Sequence, residues 1–231
     1  RRRVLKLIRN IEKNAILELK NEIQVKEGSV VSQNLARNSG FELSLYSFGG
    51  KESISEQVSF GDTFYYVFGG TAEFTLGEKK VTGTEGTALL VPHGDPHAIE
   101  AKGGMQVLYM QVMKKGDETM YINNFVQNEV VELENQVAYE KGKIVSKTLV
   151  QRDDMTLTLF AFDEGEGVST HASAGDAMVV VLDGTAEITV DGVTRMATKG
   201  QSIIMPANIP HAVTAKTPYK MLLIVVKPEV K

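Results

Sequence analysis

The stretch Gly200-Gln-Ser-Ile-Ile-Met-Pro-Ala-Asn-Ile-Pro-His211 has a second version at Gly86-Thr-Ala-Leu-Leu-Val-Pro-His-Gly-Asp-Pro-His97. In both versions a glycine opens an apolar run, a proline ends that run, and a second proline stands just before a histidine. The opening glycines and the final histidines are each 114 positions apart. This shared spacing indicates an internal duplication.

The same offset aligns most of the 231 residues without a gap. Gly70-Thr-Ala-Glu73, for example, matches Gly184-Thr-Ala-Glu187. A period this long indicates duplication of a whole domain, because solenoid repeats have periods of about 20–50 residues. We therefore expect one domain at residues 1–114 and a second at residues 115–231, with a linker at Met113–Asn123.

Each unit has the pattern of a β domain. Short runs of Val, Ile, Leu, Thr and aromatic residues alternate with turn residues. Leu157-Thr-Leu-Phe-Ala-Phe162 alternates as a strand does. Asp191-Gly192 is the signal of a two-residue hairpin, because both central positions of that turn need positive φ. Gly69-Gly70 and Asp183-Gly184 predict an equivalent turn one strand earlier. About eight short strands per unit predict a barrel or jelly roll.

Composition limits the classes of function. A hydrophobic content of 42% and a charged content of 23% are typical of a globular protein, and the net charge of −4 argues against nucleic acid as a partner. The chain has no cysteine, so disulfides and thiolate metal sites are excluded and the cytoplasm is the expected compartment. No apolar run is long enough for a signal peptide or a membrane span, so no membrane partner is expected. Helix-like segments are predicted only near residues 4–20 and 122–134.

These residues resemble a motif of the cupin family, which runs Gly, five residues, Pro, one residue, Gly, two residues, His, three residues, Asn. The first unit matches it at Gly86, Pro92, Gly94 and His97, and the second at Gly200, Pro206 and His211. Asn208 stands at the second Gly position, and Asn is the residue best able to replace Gly where φ is positive.

The whole chain thus resembles a bicupin. The resemblance implies an all-β fold of two tandem cupin β-barrels of the double-stranded β-helix, or jelly-roll, type with short N-terminal helical segments. It also implies that the two barrels form an intrachain pseudo-dimer. Whether the chain pairs further into a homodimer is left open.

A second cupin motif, which runs Gly, five residues, His, one residue, His, three or four residues, Glu, six residues, Gly, carries three of the family's four metal ligands. In the second unit His171 matches it, while Ser173 and Ala177 stand where His and Glu are expected. The first unit has none of the three ligands there. The positions are occupied by Gln57, Ser59 and Thr63.

All four histidines lie in or beside these motifs, which favours a role inside a barrel: His93, His97, His171 and His211. The resemblance implies that His171 and His211 could hold Zn, Fe, Ni or Mn, but a catalytic zinc site usually needs three protein ligands. Asp176 could supply a carboxylate only if its side chain turned inward. Asp62 and Asp176 are otherwise expected either to lie at the pocket rim or to form Asx-type turns.

We therefore expect the second barrel to bind a small polar or anionic molecule in its lumen, with no certain cofactor. The expected pocket residues there are His171, Ser173, Met178 and His211. Gln57, Ser59 and His97 are expected to line a polar, metal-free cavity in the first barrel. Two alternatives stay open: a metal-dependent oxygenase or isomerase that uses His171 and His211, and a structural or interaction barrel that has lost its chemistry. The sequence does not decide whether the protein is an enzyme.

Overall fold

The computed structural model of the chain describes residues 7–113 and 122–228. Most of these residues lie in β strands, and no helix among them is long and apolar enough to cross a membrane. The chain divides into two compact units. One unit is Lys20–Leu133, and the other comprises the chain from Glu134 onward together with the segment that ends at Leu19.

The described strands follow the duplication. Two short elements come first, β1 (Leu17–Glu18) and the single helical turn α1 (Leu19–Glu22). The first barrel contains β2 (Val30–Arg37), β3 (Phe41–Phe48), β4 (Ser53–Val58), β5 (Gly61–Leu76), β6 (Lys79–Thr84), β7 (Thr87–Val91), β8 (Pro96–Met113) and β9 (Val130–Glu132). A turn of 3-10 helix at Leu133–Gln136 precedes the second barrel, which contains β10 (Ile144–Gln151), β11 (Met155–Phe162), β12 (Gly167–His171), β13 (Asp176–Asp183), β14 (Thr185–Val190), β15 (Val193–Thr198), β16 (Gln201–Met205), β17 (His211–Ala215) and β18 (Tyr219–Val226).

The first barrel is built on the long pair β5 and β8. Its sheet order is β2-β3-β8-β5-β7-β9, with β4 paired to β8 and β6 paired to β5. Gly70 has a φ of +73°, and a Cβ atom there would lie 2.1 Å from the carbonyl oxygen of Gly104. The turn predicted at Gly69-Gly70 is therefore wrong. The two glycines form an irregularity inside one continuous strand, because β8 packs directly against them, through its backbone at Gly70 and through the side chain of Gln106 at Gly69.

The second barrel contains two sheets, with the orders β1-β16-β13-β18-β11-β10 and β12-β17-β14-β15. The hairpin predicted at Asp191-Gly192 is confirmed, because both residues have positive φ and Val190 pairs with Val193. The conformation predicted for Asn208 is also confirmed, with a φ of 61°. The all-β barrel fold expected from the sequence is thus present in both units.

Two equivalent segments, which we name strap 1 (residues 7–19) and strap 2 (residues 122–133), are exchanged between the barrels. Strap 1 precedes the first barrel in the sequence but pairs with the second, through Leu17 opposite Ser202. Strap 2 precedes the second barrel but pairs with the first, through Val131 opposite Ala88. Each barrel is therefore completed by the segment that precedes the other barrel.

Both straps are irregular rather than helical. Asn10 and Asn14 in strap 1 have φ values of 59° and 58°, and Asn124 and Asn128 in strap 2 have values of 56° and 57°. Left-handed residues at this spacing interrupt a right-handed helix. The helices predicted near residues 4–20 and 122–134 are therefore wrong, apart from α1 and the single 3-10 turn, and residues 4–6 lie outside the described part of the chain.

The exchange also differs from the domain boundary expected at residue 114. The described residues up to Leu19 group with the second barrel, and residues 122–133 group with the first. Most of the expected linker, residues 114–121, lies outside the described residues. The pairing of the barrels as a pseudo-dimer stays a prediction.

Asp176 anchors strap 1. Its carboxylate is fully buried and accepts hydrogen bonds from the backbone N–H groups of Leu7 at 3.0 Å, Ile8 at 2.7 Å and Ala207 at 2.8 Å. Lys13 of the same strap forms an ion pair with it. Asp176 is thus neither a rim carboxylate nor an Asx-type turn, because strap amides use its oxygens.

Asp62 does the same for strap 2. It accepts hydrogen bonds from the backbone N–H groups of His93 at 2.8 Å and Ile122 at 3.0 Å. His93 and Ile122 lie 114 positions before Ala207 and after Ile8, respectively. The duplication therefore preserves the strap and its anchor together.

Candidate functional site

The lumen of the second barrel contains a cavity of about 420 Å³. Its lining is apolar except for His171, Ser173 and His211. The larger apolar side chains come from β11, β16, β17 and β18: Phe160, Phe162, Met205, Val213, Met221 and Leu223. This volume lies within the range of small-molecule sites, which are mostly apolar with a few polar groups.

His171 and His211 form a pair at this cavity. They lie opposite each other on β12 and β17, and their ring centroids are 4.5 Å apart with an interplanar angle of 65°. His171 is exposed, whereas His211 is 3% exposed. The pair thus has one member open to solvent and one buried in the barrel.

The two rings are held in the same way. Nδ1 of His171 lies 2.9 Å from the carbonyl oxygen of Ser169, and Nδ1 of His211 lies 3.0 Å from that of Ile209. Since a carbonyl can only accept, Nδ1 carries the proton in each neutral ring and Nε2 carries the lone pair. Within the described part of the chain neither Nε2 has a hydrogen-bond partner. Each is therefore available to a ligand that donates a proton or binds a lone pair.

The electrostatics of His211 favour this neutral form. Burial lowers the pKa of His211, the hydrogen bond to the Ile209 carbonyl opposes that shift, and the neighbouring His171 adds to it. Because the pKa lies below the usual value near 6.5, the ring is neutral at pH 7.

Not every residue expected in this pocket lies there. His171, Ser173 and His211 come together, but Met178 does not line the cavity. Strand alternation is the reason. Ala177 and Val179 of β13 pack in the hydrophobic core inside the second barrel, so Met178 between them faces the other side of the strand. Met205 and Met221 line the cavity instead.

The first barrel is almost full. Its lumen cavity measures about 100 Å³ and is lined by Tyr46, Phe48, Ile54, Gln57, Tyr65, Ile99, Val107 and Tyr109. Tyr65 contacts Tyr109 edge to face, with ring centroids 5.6 Å apart, and Tyr46 contacts Tyr109 in the same way at 5.3 Å. Three tyrosine rings thus occupy the space inside this barrel.

The Tyr65 hydroxyl bonds to His97, which is fully buried. It lies 2.8 Å from Nε2 of the imidazole, and Gln57 lines the same cavity. Burial raises the pKa of Tyr65 well above 10, and burial lowers the pKa of His97 against the opposing effect of Asp95. The phenol is therefore the donor and the neutral imidazole the acceptor. Of the three residues expected to line this cavity only Gln57 does so, because Ser59 and His97 are buried and are not part of its lining.

The two cavities are the same part of the duplicated barrel. At an offset of 114, Tyr46 corresponds to Phe160, Gln57 to His171, and Tyr109 to Leu223, and each pair lines its own cavity. One tyrosine of the pair Tyr65-Tyr66 is expected from strand alternation to lie in the core, but Tyr46 and Tyr109 were not predicted as lumen residues. Comparing positions that differ between the two repeats, such as Tyr109 against Leu223, would have found them.

A cupin-domain family model matches residues 158–226. A solved "Cupin 2 conserved barrel domain protein" from Leptotrichia buccalis is 33% identical, covers 96% of this chain and 100% of its own, and superposes with a TM-score of 0.81. The chain belongs to the cupin family. A solved conserved protein of unknown function from Streptococcus pyogenes, SPY1581, is 46% identical over 49% of this cupin and 100% of its own chain, with a TM-score of 0.48.

More distant cupin structures share only the fold. The salicylate 1,2-dioxygenase from Pseudaminobacter salicylatoxidans is 12% identical, covers 84% of this chain and 76% of its own, and has a TM-score of 0.57. No curated protein is significantly similar to this cupin.

The donor groups of this cupin do not fit a resident metal ion. Ser173 and Ala177 line the cavity at the positions where the family motif has His and Glu. In residues 7–113 and 122–228, no three or more His, Cys, Asp or Glu side chains are grouped to hold a metal. Asp176 is not available as a third ligand, because it anchors strap 1. Two imidazoles alone fall short of the three protein ligands of a catalytic zinc site.

Proposed function

We propose that the second barrel of this cupin binds a small organic molecule that has an apolar body and one polar group, with the polar group at His171 and His211. The observation that carries the proposal is the cavity of about 420 Å³, whose lining is apolar apart from this pair and Ser173. A wholly polar ligand would leave that lining without apolar contacts. The ligand expected from the sequence is therefore narrowed to one with a substantial apolar part.

The pair supplies the specificity. A polar atom that a ligand covers without pairing is costly, so a ligand that satisfies Nε2 of His211 is favoured over one that does not. Burial of the apolar body contributes about 25 cal/mol per Å² of surface removed from water. The pocket thus combines apolar affinity with one directional contact, as small-molecule sites commonly do.

Ligand-observed NMR with toluene, p-cresol, benzoate and hexanoate tests the proposal. At least one of these solutes should bind the parent protein and lose binding in Val213→Phe, which fills the cavity. Val193→Phe, at a position that is 49% exposed, is the matched control and should bind like the parent. If no solute binds, or if Val213→Phe binds them all unchanged, the barrel is better described as a structural module.

The same protein serves to test the metal-dependent alternative. Metal content is measured after incubation with Zn²⁺ or Fe²⁺ and removal of free ion. We expect no stoichiometric retention by the parent, since the described residues provide only two ligands. Retention that disappears in both His171→Ala and His211→Ala would replace the metal-free proposal with the oxygenase or isomerase alternative.

A further inference from the structure

In the first barrel a side chain of the protein itself, Tyr65, bonds to His97. The equivalent histidine of the second barrel, His211, has no such partner among the described residues. His97 and His211 are equivalent at the offset of 114, and both rings bond through Nδ1 to the carbonyl oxygen two residues earlier. In the first barrel Nε2 accepts the Tyr65 phenol at 2.8 Å. In the second barrel the equivalent of Tyr65 is Val179, which cannot reach or donate to His211.

The other member of the equivalent pair lies at the same place in the first barrel. Gln57, which corresponds to His171, is opposite His97 on β4 and β8 and lines the same cavity as Tyr65. The hydroxyl of Tyr65 is thus bonded at the position of His211, on the side of the lumen where the second barrel has His171. Its ring packs among aromatic neighbours, with centroids 5.2 Å from Phe74 and 5.6 Å from Tyr109.

The free volume inside the two barrels differs because of the same substitutions. Replacing Tyr65 by Val179 and Tyr109 by Leu223 removes two phenol rings from the lumen, and the cavity grows from about 100 Å³ to about 420 Å³. The walls that contacted those rings stay apolar, and Tyr46 becomes Phe160. The second barrel therefore has an apolar space beside His171 and His211 that the first barrel lacks. Val179 does not line this space but packs in the same core as Met205, Val213 and Met221, which do.

From this comparison we infer that the ligand of the second barrel is a hydroxylated aromatic compound whose phenol donates to Nε2 of His211 beside His171. The inference rests on the proposed function and specifies the chemical class of its ligand. Neutral His211 selects a donor, so a hydroxyl on a ring is favoured over an apolar ring of the same size. It is also favoured over a carboxylate, which has no proton to donate at neutral pH.

The test uses p-cresol, which is the tyrosine side chain without its backbone, with toluene and benzoate as comparison probes. Titration calorimetry or NMR of the full chain at pH 7.5 should show p-cresol binding about 5- to 10-fold more tightly than toluene, the value of one hydrogen bond. Benzoate should bind more weakly than p-cresol. His171→Gln, which copies Gln57, should keep the preference for p-cresol, and His211→Leu should abolish it.

Val179→Tyr places a phenol side chain in the second barrel at the position equivalent to Tyr65. It should eliminate p-cresol binding without unfolding the chain, and a crystal structure should show the introduced phenol bonded to Nε2 of His211. Tyr65→Val is the reciprocal variant and should open a second p-cresol site beside His97, raising the stoichiometry from one to two per chain. Adding His97→Leu to it should remove the hydroxyl preference at this new site.

The outcomes separate the two levels of the proposal. If toluene or benzoate binds as tightly as p-cresol and Val179→Tyr blocks them all, the proposed binding function stands. The inference that the ligand is a phenol is then wrong. If p-cresol binding survives Val179→Tyr, the ligand lies elsewhere and the inference is overturned. If none of the three probes binds the parent and hexanoate does not bind either, the proposed function itself fails.

Discussion

Asp62 and Asp176, which stand 114 positions apart, accept hydrogen bonds from equivalent backbone amides, those of Ile122 and Ile8. Each carboxylate also accepts from a loop amide of its own barrel, that of His93 or Ala207. The two aspartates therefore join each strap to the barrel that it completes. Without them, buried backbone amides in irregular segments would lack partners, which is costly.

Removing either anchor should release one strap only. In Asp176→Ala we expect faster hydrogen exchange in strap 1 and a loss of about 3–5 kcal/mol in the free energy of unfolding, because three backbone amides lose their buried acceptor and Lys13 loses its ion-pair partner. Asp62→Ala should act on strap 2 with a smaller cost of about 1–3 kcal/mol, since it leaves amides rather than a cation. Asp153→Ala, at an exposed position, is the control. Equal effects on both straps would contradict the exchange.

The hydroxyl of Tyr65 should matter more to stability than that of Tyr219, although both side chains are buried. Tyr65→Phe leaves the buried His97 Nε2 without its donor and should cost about 1–3 kcal/mol, measured by chemical denaturation. Tyr219→Phe removes only a 3.5 Å contact to the sulfur of Met221, a weak acceptor, and should cost much less. A larger loss in Tyr219→Phe would show that the phenol of Tyr65 is not a structural donor.

The buried histidines should make the protein less stable in mild acid. The folded-state pKa of His211 and that of His97 are both lowered, chiefly by burial, so the unfolded chain binds protons first. Their stabilising effect is complete above about pH 6.5 and is lost as the pH falls from there through the lowered folded pKa. The thermal unfolding temperature should fall less steeply between pH 7.5 and pH 5 in His211→Gln and in His97→Gln than in the parent.

Protonation of His211 also predicts how the affinity of the second barrel for its ligand changes with pH. Among the described residues that line the second cavity, His171 and His211 are the titratable ones. A hydroxyl donor needs neutral Nε2 of His211, so p-cresol should bind more weakly as the pH falls below the lowered pKa. Benzoate should show the opposite trend, since an anion prefers the protonated ring of His211. Tighter p-cresol binding at pH 5 than at pH 7.5, measured by calorimetry, would contradict the acceptor role of His211.

Restoring the missing ligands should create a metal site. Ser173 and Ala177 line the same cavity as His171 and His211, so Ser173→His combined with Ala177→Glu gives three imidazoles and a carboxylate. This variant should retain one Zn²⁺ per chain after dialysis, measured by elemental analysis, whereas the parent should not. Ala207→Glu, close in sequence but absent from the cavity lining, is the control. Retention by the control would show that zinc binds elsewhere.

The motifs around His97 and His211 were sufficient to predict the barrels, because glycine, proline and alternating apolar residues mark strands and turns locally. The prediction for Asn208 succeeded for the same reason, since a positive φ is a local property. The straps were mispredicted because their partners are remote. Ile8 bonds to Asp176 across a separation of 168 residues, and no periodicity within the strap indicates that contact.

The candidate site was predicted only in part. His171, Ser173 and His211 lie together because barrel strands place equivalent motif positions toward one lumen. Met178 was expected there as a methionine of a core strand, like Met205 and Met221, but strand alternation turns it to the other face of β13. The filling of the first lumen by Tyr46, Tyr65 and Tyr109 depends on volume, which a search for matching residues does not reveal.

The exchange of the straps has a practical consequence for dissecting this chain. A cut after residue 114, where the repeat itself suggests one, leaves strap 1 on the fragment that does not need it and strap 2 on the other. The N-terminal fragment would carry strap 1, which completes the second barrel, and the C-terminal fragment would carry strap 2, which completes the first. Two such half-chains would have to be produced together to rebuild both barrels, so neither repeat is a self-sufficient module.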